Sequence, residues 1–184
     1  FMHLIDINKS LYRKRLNIVI FISIFCLTVL SISFGAILIE LFGYTLPDID
    51  PTTGEKPSNF RFNFVGVILA LLTCISILQQ FKNHPYCFEI HYVMRLKQIH
   101  NIIYRRLNNI KKSTQVFESN EDINAFIVLN YYYTSLKQVY LLDNNTLTLS
   151  SLEKDMQALQ QRMTALDIKV NTDQFERAML IDYR

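Results

Sequence analysis

The sequence predicts an all-α integral membrane protein, in which a two-helix transmembrane hairpin is followed by a cytoplasmic helical bundle that ends in a coiled-coil-like helix. Three observations predict this class. Two uncharged apolar runs, residues 18–39 and 64–78, lie in the first half of the 184-residue chain. Basic residues lie outside both runs, and the connector between them carries more acidic than basic residues. After Gly66 there is no further glycine, and apolar residues recur at helical spacing.

The two apolar runs are long enough to be spanning helices. At ~1.5 Å of rise per residue, the 22 residues of the first run cross a hydrocarbon core of roughly 30 Å. The second run reaches that length if it begins near Phe60, with Arg61 extending toward the headgroups. We therefore predict spans over about 17–41 and 60–79. Two alternatives fit less well. A soluble fold has little reason to hold two such runs as core helices, and the first run is longer than the ~7–15 apolar residues of a cleaved signal peptide.

Orientation follows from the short flanks, because Lys and Arg beside a span resist translocation. Four basic residues precede the first span and seven lie between Gln79 and Lys112. Both termini are therefore expected in the cytoplasm, with the connector on the other side of the membrane. The predicted parts are a basic N-terminus (1–15), a hairpin (16–78) with an external loop (43–59), and a cytoplasmic region (80–184) with helices over about 86–112, 121–142 and 150–170.

Small residues form a row on each span and predict close helix packing, which in lipid replaces the hydrophobic drive available in water. The rows are Ser31 and Gly35 on the first span, and Gly66, Ala70 and Cys74 on the second. We expect the two rows to face each other in a hairpin. The alternative is that one row contacts another subunit.

The membrane-proximal basic residues are candidates for contact with lipid headgroups, since each Lys or Arg near an anionic leaflet contributes ~1 kcal/mol. They are Arg13, Lys14, Arg15, Arg95, Lys97, Arg105 and Arg106. The simpler interpretation is a solvated face with the usual positive-inside bias. From Ser113 onward acidic residues outnumber basic ones, and this argues against a nucleic-acid partner.

The last two predicted helices carry aromatic and heptad signals. The Tyr131–Tyr133 run puts aromatics around much of one helix, and we expect at least one to be free for lipid or a partner. Ser150 and Glu153 fit a capping box at the start of the next helix. Its heptad seam consists of Leu149, Leu152, Met156, Leu159, Met163, Leu166 and Val170. A coiled coil between chains and packing within the bundle both satisfy this seam.

No catalytic, cofactor or metal motif is predicted. His84, Cys87 and His91 share one helix face, but a straight helix spreads the outer two by ~10 Å, too far for one metal ion. With four glycines in the chain there is little material for a phosphate-binding loop. No small-molecule substrate is evident. The three cysteines fall in or beside the predicted spans, so no disulfide framework is expected.

Several sequence strings carry a resemblance to a known family. They are Tyr12–Asn17, His84-Pro85, Tyr92–Gln98, Ile103–Leu107, Leu129–Tyr133 and Asp143–Leu149, in this order around the two apolar runs. Together they resemble a family of gammaproteobacterial membrane proteins, domain-of-unknown-function family 3087. The resemblance extends to about Leu166. It implies a bacterial inner membrane and brings no activity, cofactor or catalytic residue.

The function expected from these features is that of a non-enzymatic accessory or scaffold subunit, associated with membrane lipids and with another membrane protein or further copies of itself. A homo-oligomeric pore or membrane-perturbing protein is a second hypothesis, although neither span carries an ionisable residue at its centre. A third is a regulator that binds anionic lipid.

Overall fold

The computed structural model describes residues 3–43, 49, 54, 58–115 and 122–183. Within these ranges the chain is helical without strands, which confirms the predicted all-α class. The helices are α1 (Lys9–Phe42), α2 (Phe60–Phe81), α3 (Phe88–Tyr104), α4 (Leu107–Ser113), α5 (Ile123–Asp143) and α6 (Leu149–Ala165), with 3₁₀ segments at Pro85–Cys87, Thr172–Gln174 and Arg177–Tyr183. Most of the predicted external loop lies outside the described residues.

The chain divides into two compact units. The apolar unit comprises Lys14–Phe88, and the helical unit combines Phe1–Arg13 with Glu89–Arg184. The described N-terminal residues as far as Arg13 belong to the helical unit. Helix α1 begins in one unit and continues into the other.

The apolar unit holds two helices long and apolar enough to cross a membrane. α1 has 34 residues and α2 has 22, and their most apolar 18-residue windows have mean hydropathies of 2.5 and 2.1. Only 6% of the first window and 11% of the second is buried within the chain. The core helix of a soluble protein buries most of its apolar surface, whereas these two helices turn theirs outward.

Two glycines let α1 and α2 touch at the backbone. A Cβ placed on Gly66 would lie 2.6 Å from the backbone nitrogen of Gly35 and 2.9 Å from its Cα. Ala70 and Cys74 are buried further along the same face of α2. Ser31 is half-buried, and its hydroxyl donates to the Leu27 carbonyl oxygen at 2.6 Å. One residue of each predicted row, Gly35 and Gly66, thus meets the other inside one chain.

Helix α5 forms the centre of the helical unit, and buried residues lie around its whole circumference between Ala125 and Leu142. Its buried residues are Ala125, Phe126, Ile127, Val128, Leu129, Tyr131, Tyr132, Tyr133, Ser135, Val139 and Leu142. A helix that is apolar all round must be covered all round. α4, α6 and the two C-terminal 3₁₀ segments provide much of that cover.

The three consecutive tyrosines are all buried, so the expectation that one would be free is wrong. Tyr131, Tyr132 and Tyr133 are 0%, 6% and 4% exposed. Phe175 from the C-terminal segment stacks on Tyr131 with ring centroids 4.0 Å apart. The edge of His100 meets Tyr132. The three tyrosine rings therefore pack against other parts of the chain on all sides of α5, and none of them is left for a binding partner.

The last predicted helix is shorter than expected. α6 ends at Ala165, because Asp167 adopts a left-handed conformation (φ 52°) and the Ile168 N–H donates back to the Met163 carbonyl oxygen at 2.9 Å. Leu166 and Val170 consequently lie outside the helical seam. The predicted capping box is also wrong, since Ser150 lies within α6 and the N-cap position belongs to Thr148.

The predicted helix over 86–112 is divided in two. Pro85–Cys87 forms a 3₁₀ turn before α3, and a second break at Arg105–Arg106 separates α3 from α4. At that break the Arg106 N–H bonds to the Ile103 carbonyl oxygen, three residues back rather than four. The tightened turn accompanies complete burial of both Ile103 and Ile110.

We predict that Gly66→Ala destabilises the protein by about 1–3 kcal/mol, because its methyl group would overlap the backbone of Gly35. In an unconstrained helix the same change stabilises by roughly 0.5–1 kcal/mol. Thermal unfolding in a mild detergent measures the difference. Gly43→Ala is the matched control, since a Cβ there meets only Ile39, at 3.4 Å. An unchanged melting temperature for Gly66→Ala would contradict the close contact.

Candidate functional site

The heptad seam of α6 is used for packing within the chain. Leu152, Leu159 and Met163 are buried, and Leu149 and Met156 are half-buried. α6 packs chiefly on α5, from which a short turn separates it. An ion pair reinforces this contact, with Lys137 Nζ 2.8 Å from Glu153 Oε1. The seam is therefore satisfied inside the helical unit.

The predicted headgroup residues are not equivalent in the structure. Lys14, Arg95, Lys97 and Arg105 are exposed, whereas Arg13, Arg15 and Arg106 are half-buried. The Arg15 guanidinium lies 4.9 Å from the centroid of the Tyr86 ring. Lys97 is already engaged, since its Nζ lies 2.7 Å from Asp143 Oδ2. Arg95 and Arg105 remain exposed beside the exposed side chains of Met94 and Tyr104.

Asp143 connects three helices through its two carboxylate oxygens. Lys97 of α3 pairs with Oδ2, and the Tyr12 hydroxyl of α1 donates to Oδ1 at 3.1 Å. Tyr12 is 3% exposed. Its burial, together with the charge and hydrogen bond of Asp143, raises the pKa of Tyr12 to about 12. Tyr12 is thus a neutral donor that fastens the first turns of α1 to the last residue of α5.

The N-terminal segment is held by a second group of contacts. The Ile5 N–H donates to the Tyr92 hydroxyl at 3.1 Å, and the Ile5 carbonyl oxygen accepts from Gln138 Nε2 at 2.6 Å. The Tyr92 hydroxyl donates in turn to Gln138 Oε1 at 3.2 Å. Both backbone groups of Ile5 are therefore satisfied by side chains of α3 and α5. Sequence reasoning missed this segment because it carries no periodic pattern.

The C-terminal segment is fastened at the opposite end of α5. The Tyr183 hydroxyl donates to Asp122 Oδ2 at 2.6 Å, while Asp122 Oδ1 caps α5 by accepting from the Ala125 N–H. Burial of the ring, together with the hydrogen bond to Asp122, raises the pKa of Tyr183. Leu180 is completely buried in the same segment. One aspartate thus both starts α5 and holds the chain end.

A buried serine and histidine lie between α3 and α5. Ser135 Oγ donates to the Tyr132 carbonyl oxygen, so it accepts from His100 Nε2, 2.8 Å away. Burial, with a smaller contribution from the Lys97 charge, lowers the pKa of His100 to about 4. Ser135 is completely buried, so no substrate reaches its hydroxyl. The pair satisfies polar groups inside the core.

A small cleft opens between α4, α5 and α6. Its volume is about 190 Å³, and its polar lining includes Lys111, Thr114, Asp155 and Arg162. Lys111 Nζ lies 3.2 Å from Asp155 Oδ2 and 5.8 Å from the centroid of the Tyr133 ring. Burial alone would lower the pKa of Lys111, but its contacts with Tyr133 and Asp155 outweigh burial and raise that pKa. The cleft holds a fixed cation paired within the chain.

Among the residues that the structure describes, no three His, Cys, Asp or Glu side chains are placed to hold one metal ion. Cys26, Cys74 and Cys87 are free thiols. In the described part of the chain, hydrogen bonds and ion pairs hold several segments against α5. The apolar surfaces of α1 and α2 face outward.

These features define a class of protein, an all-α chain with two helices of spanning length and a compact helical unit. The chain matches the model of the family "Protein of unknown function (DUF3087)" over residues 2–180 and belongs to that family. This confirms the resemblance. No curated protein and no solved structure matches the chain.

We predict that Tyr12→Phe costs about 1–2 kcal/mol of unfolding free energy, because it removes a buried hydrogen bond to a charged oxygen. Tyr104→Phe is the matched control, since Tyr104 is 69% exposed. Denaturant unfolding of the two variants in the same detergent compares them. Equal midpoints for the two variants would contradict the assigned role of Tyr12.

The lowered pKa of His100 predicts a pH dependence of stability. The unfolded chain takes up a proton near pH 6.5, whereas the folded chain resists protonation down to about pH 4. Stability is therefore complete above pH 6.5 and decreases as the pH falls toward 4, by at most about 3 kcal/mol. Melting temperatures between pH 7.5 and 4.5 measure the slope.

The variant His100→Asn should flatten that slope, whatever its stability at pH 7.5. His3→Asn is the control, because His3 is exposed at the surface of the same unit. A slope in His100→Asn as steep as that of the unmodified protein would show that other groups cause the acid sensitivity.

Proposed function

We propose that the protein is an accessory or scaffold subunit of the bacterial inner membrane. The observation that carries the proposal is the outward-facing apolar surface of α1 and α2, of which 6% and 11% of the most apolar windows are buried. Such a surface needs lipid or another membrane protein to cover it.

The proposed orientation places both termini in the cytoplasm. Lys9, Arg13, Lys14 and Arg15 precede the first apolar run, and the segment after α2 is basic as far as Lys112. In the proposed arrangement the connector between α1 and α2 is periplasmic and the helical unit is cytoplasmic.

The helical unit has properties that suit a scaffold. Its N-terminal segment, its C-terminal segment and α6 are each fastened to α5 by hydrogen bonds or ion pairs. A unit held at so many points keeps one arrangement and can present a fixed surface to a partner. Exposed apolar side chains on that surface include Met94, Tyr104, Ile123 and Ile181.

The partner is expected to bind inside the membrane as well as outside it. α1 and α2 use their small residues on each other, so their remaining faces present large side chains such as Phe21, Phe25, Phe64 and Leu72. Partner helices would pack on these faces by shape rather than by polar contact.

We predict that the natively expressed protein, extracted gently into nanodiscs, has the mass of a complex with a second membrane polypeptide at fixed stoichiometry. Mass determination with identification of each component tests this. A test variant replaces Phe21 and Phe25 with Ala. It should recover less of the partner while keeping its fold. A monodisperse monomer would refute the accessory role, and a pure homo-oligomer would replace it with the pore hypothesis.

A further inference from the structure

The cleft between α4, α5 and α6 has more cationic than anionic side chains in its described lining. These are the ammonium group of Lys111, the guanidinium group of Arg162 and one carboxylate, Asp155. Lys111 is paired with that carboxylate. The guanidinium of Arg162 presents five N–H donors in a fixed fork, and one contact within the chain uses only part of them. Arg162 is therefore suited to bind an anion that enters the cleft.

Helix α6 separates the two cations along the cleft. Asp155 and Arg162 are seven residues apart on α6, which places them on one face of the helix and ~10 Å apart along its axis. Lys111 is held at the Asp155 end by their ion pair. Between these ends α6 contributes Ala158 and Leu159 to the lining. The cleft therefore has a paired charged end, an apolar middle and a guanidinium end.

The wall that α5 contributes to the cleft adds apolar surface and no charge. Leu129 and Tyr133 are four residues apart and therefore neighbours on one face of α5, and both are buried. Burial raises the pKa of Tyr133, so its hydroxyl is neutral at physiological pH. Leu129 thus extends the apolar middle of the cleft onto a second helix, while the Tyr133 ring lies beside the Lys111 ammonium group.

The volume of the cleft, about 190 Å³, limits its ligand to a small molecule. Pockets for drug-sized ligands measure ~300–1,000 Å³. One water molecule occupies ~30 Å³ of the liquid, so the cleft has room for roughly six. A guanidinium binds a carboxylate through two parallel N–H···O hydrogen bonds, and the apolar middle favours a hydrocarbon body. A small organic carboxylate meets all of these requirements.

We propose that this cleft binds a small organic carboxylate, with the carboxylate group on Arg162 and the hydrocarbon body against the apolar middle. Gln115, which follows α4 and is exposed, belongs to the same lining and can donate its side-chain amide to the ligand. The cleft lies entirely within the helical unit. The proposal therefore does not depend on the membrane location of α1 and α2 or on the accessory role.

The test uses the full chain in a mild detergent, with para-fluorobenzoate as the probe and fluorine NMR line broadening as the readout. Para-fluorobenzyl alcohol, a neutral molecule of similar size, measures uptake into detergent. Arg162→Gln removes the guanidinium, and Lys154→Gln is its control, since Lys154 is exposed on the same helix outside the lining of the cleft. Ala158→Leu fills the apolar middle from an exposed position without changing charge. Ala165→Leu, exposed at the end of α6, is the matched control.

We expect the protein to broaden the fluorobenzoate signal and to leave that of the neutral alcohol as it is in detergent alone. Arg162→Gln and Ala158→Leu should each weaken binding about tenfold or more, while both controls bind like the unmodified protein. If Arg162→Gln does not fold, Ala158→Leu decides the outcome.

Inorganic phosphate should displace the probe only at much higher concentration, because it has no hydrocarbon body. Displacement by phosphate at equal concentration would overturn the assignment to an organic carboxylate. No broadening by the unmodified protein, or broadening that Ala158→Leu leaves unchanged, would refute the site.

Discussion

The requirement to cover helix α5 on all sides determines the architecture of the helical unit. Eleven residues around its circumference are buried, and no residue between Ala125 and Tyr140 is exposed to solvent. One neighbouring hairpin cannot cover such a helix. α3, α4 and α6 supply part of the cover, and the N-terminal and C-terminal segments complete it. The chain therefore returns to α5 from both ends.

Polar groups fix these segments where apolar contact alone would leave them free to slide. Asp122 and Asp143 lie at opposite ends of α5, and each accepts a tyrosine hydroxyl from a distant part of the chain. Both bonds are partly buried, where a hydrogen bond to a carboxylate is stronger than in water. Because Tyr12 belongs to α1, this hydrogen bond holds the first turns of α1 to the last residue of α5.

The sequence predicted the elements whose signal is local. The two apolar runs, the close contact of Gly35 with Gly66 and the seam of α6 all follow from residue type and spacing. Hydropathy and periodicity depend on neighbours in the chain, so they locate helices but give their ends less reliably. The left-handed residue beyond the end of α6 is Asp167. No glycine or proline stands there to predict the end of the helix.

The parts that sequence reasoning missed depend on contacts between distant residues. Ile5 with Gln138, Phe175 with Tyr131 and Tyr183 with Asp122 are each separated by more than forty residues in the chain. Nothing in the local pattern of the N-terminal or C-terminal segment indicates its partner. The consecutive tyrosines were expected to leave one ring free, because the segment that covers Tyr131 was not foreseen.

Cysteine accessibility in intact cells tests the proposal that α1 and α2 span the inner membrane with the helical unit in the cytoplasm. In a chain whose native cysteines are replaced, Thr53→Cys in the connector and Ser151→Cys in α6 are compared with a membrane-impermeant maleimide. We expect the maleimide to label the cysteine at position 53 in intact cells, and the cysteine at position 151 only after the membrane is opened. Labelling of both positions in intact cells, or of neither until the membrane is opened, would contradict it.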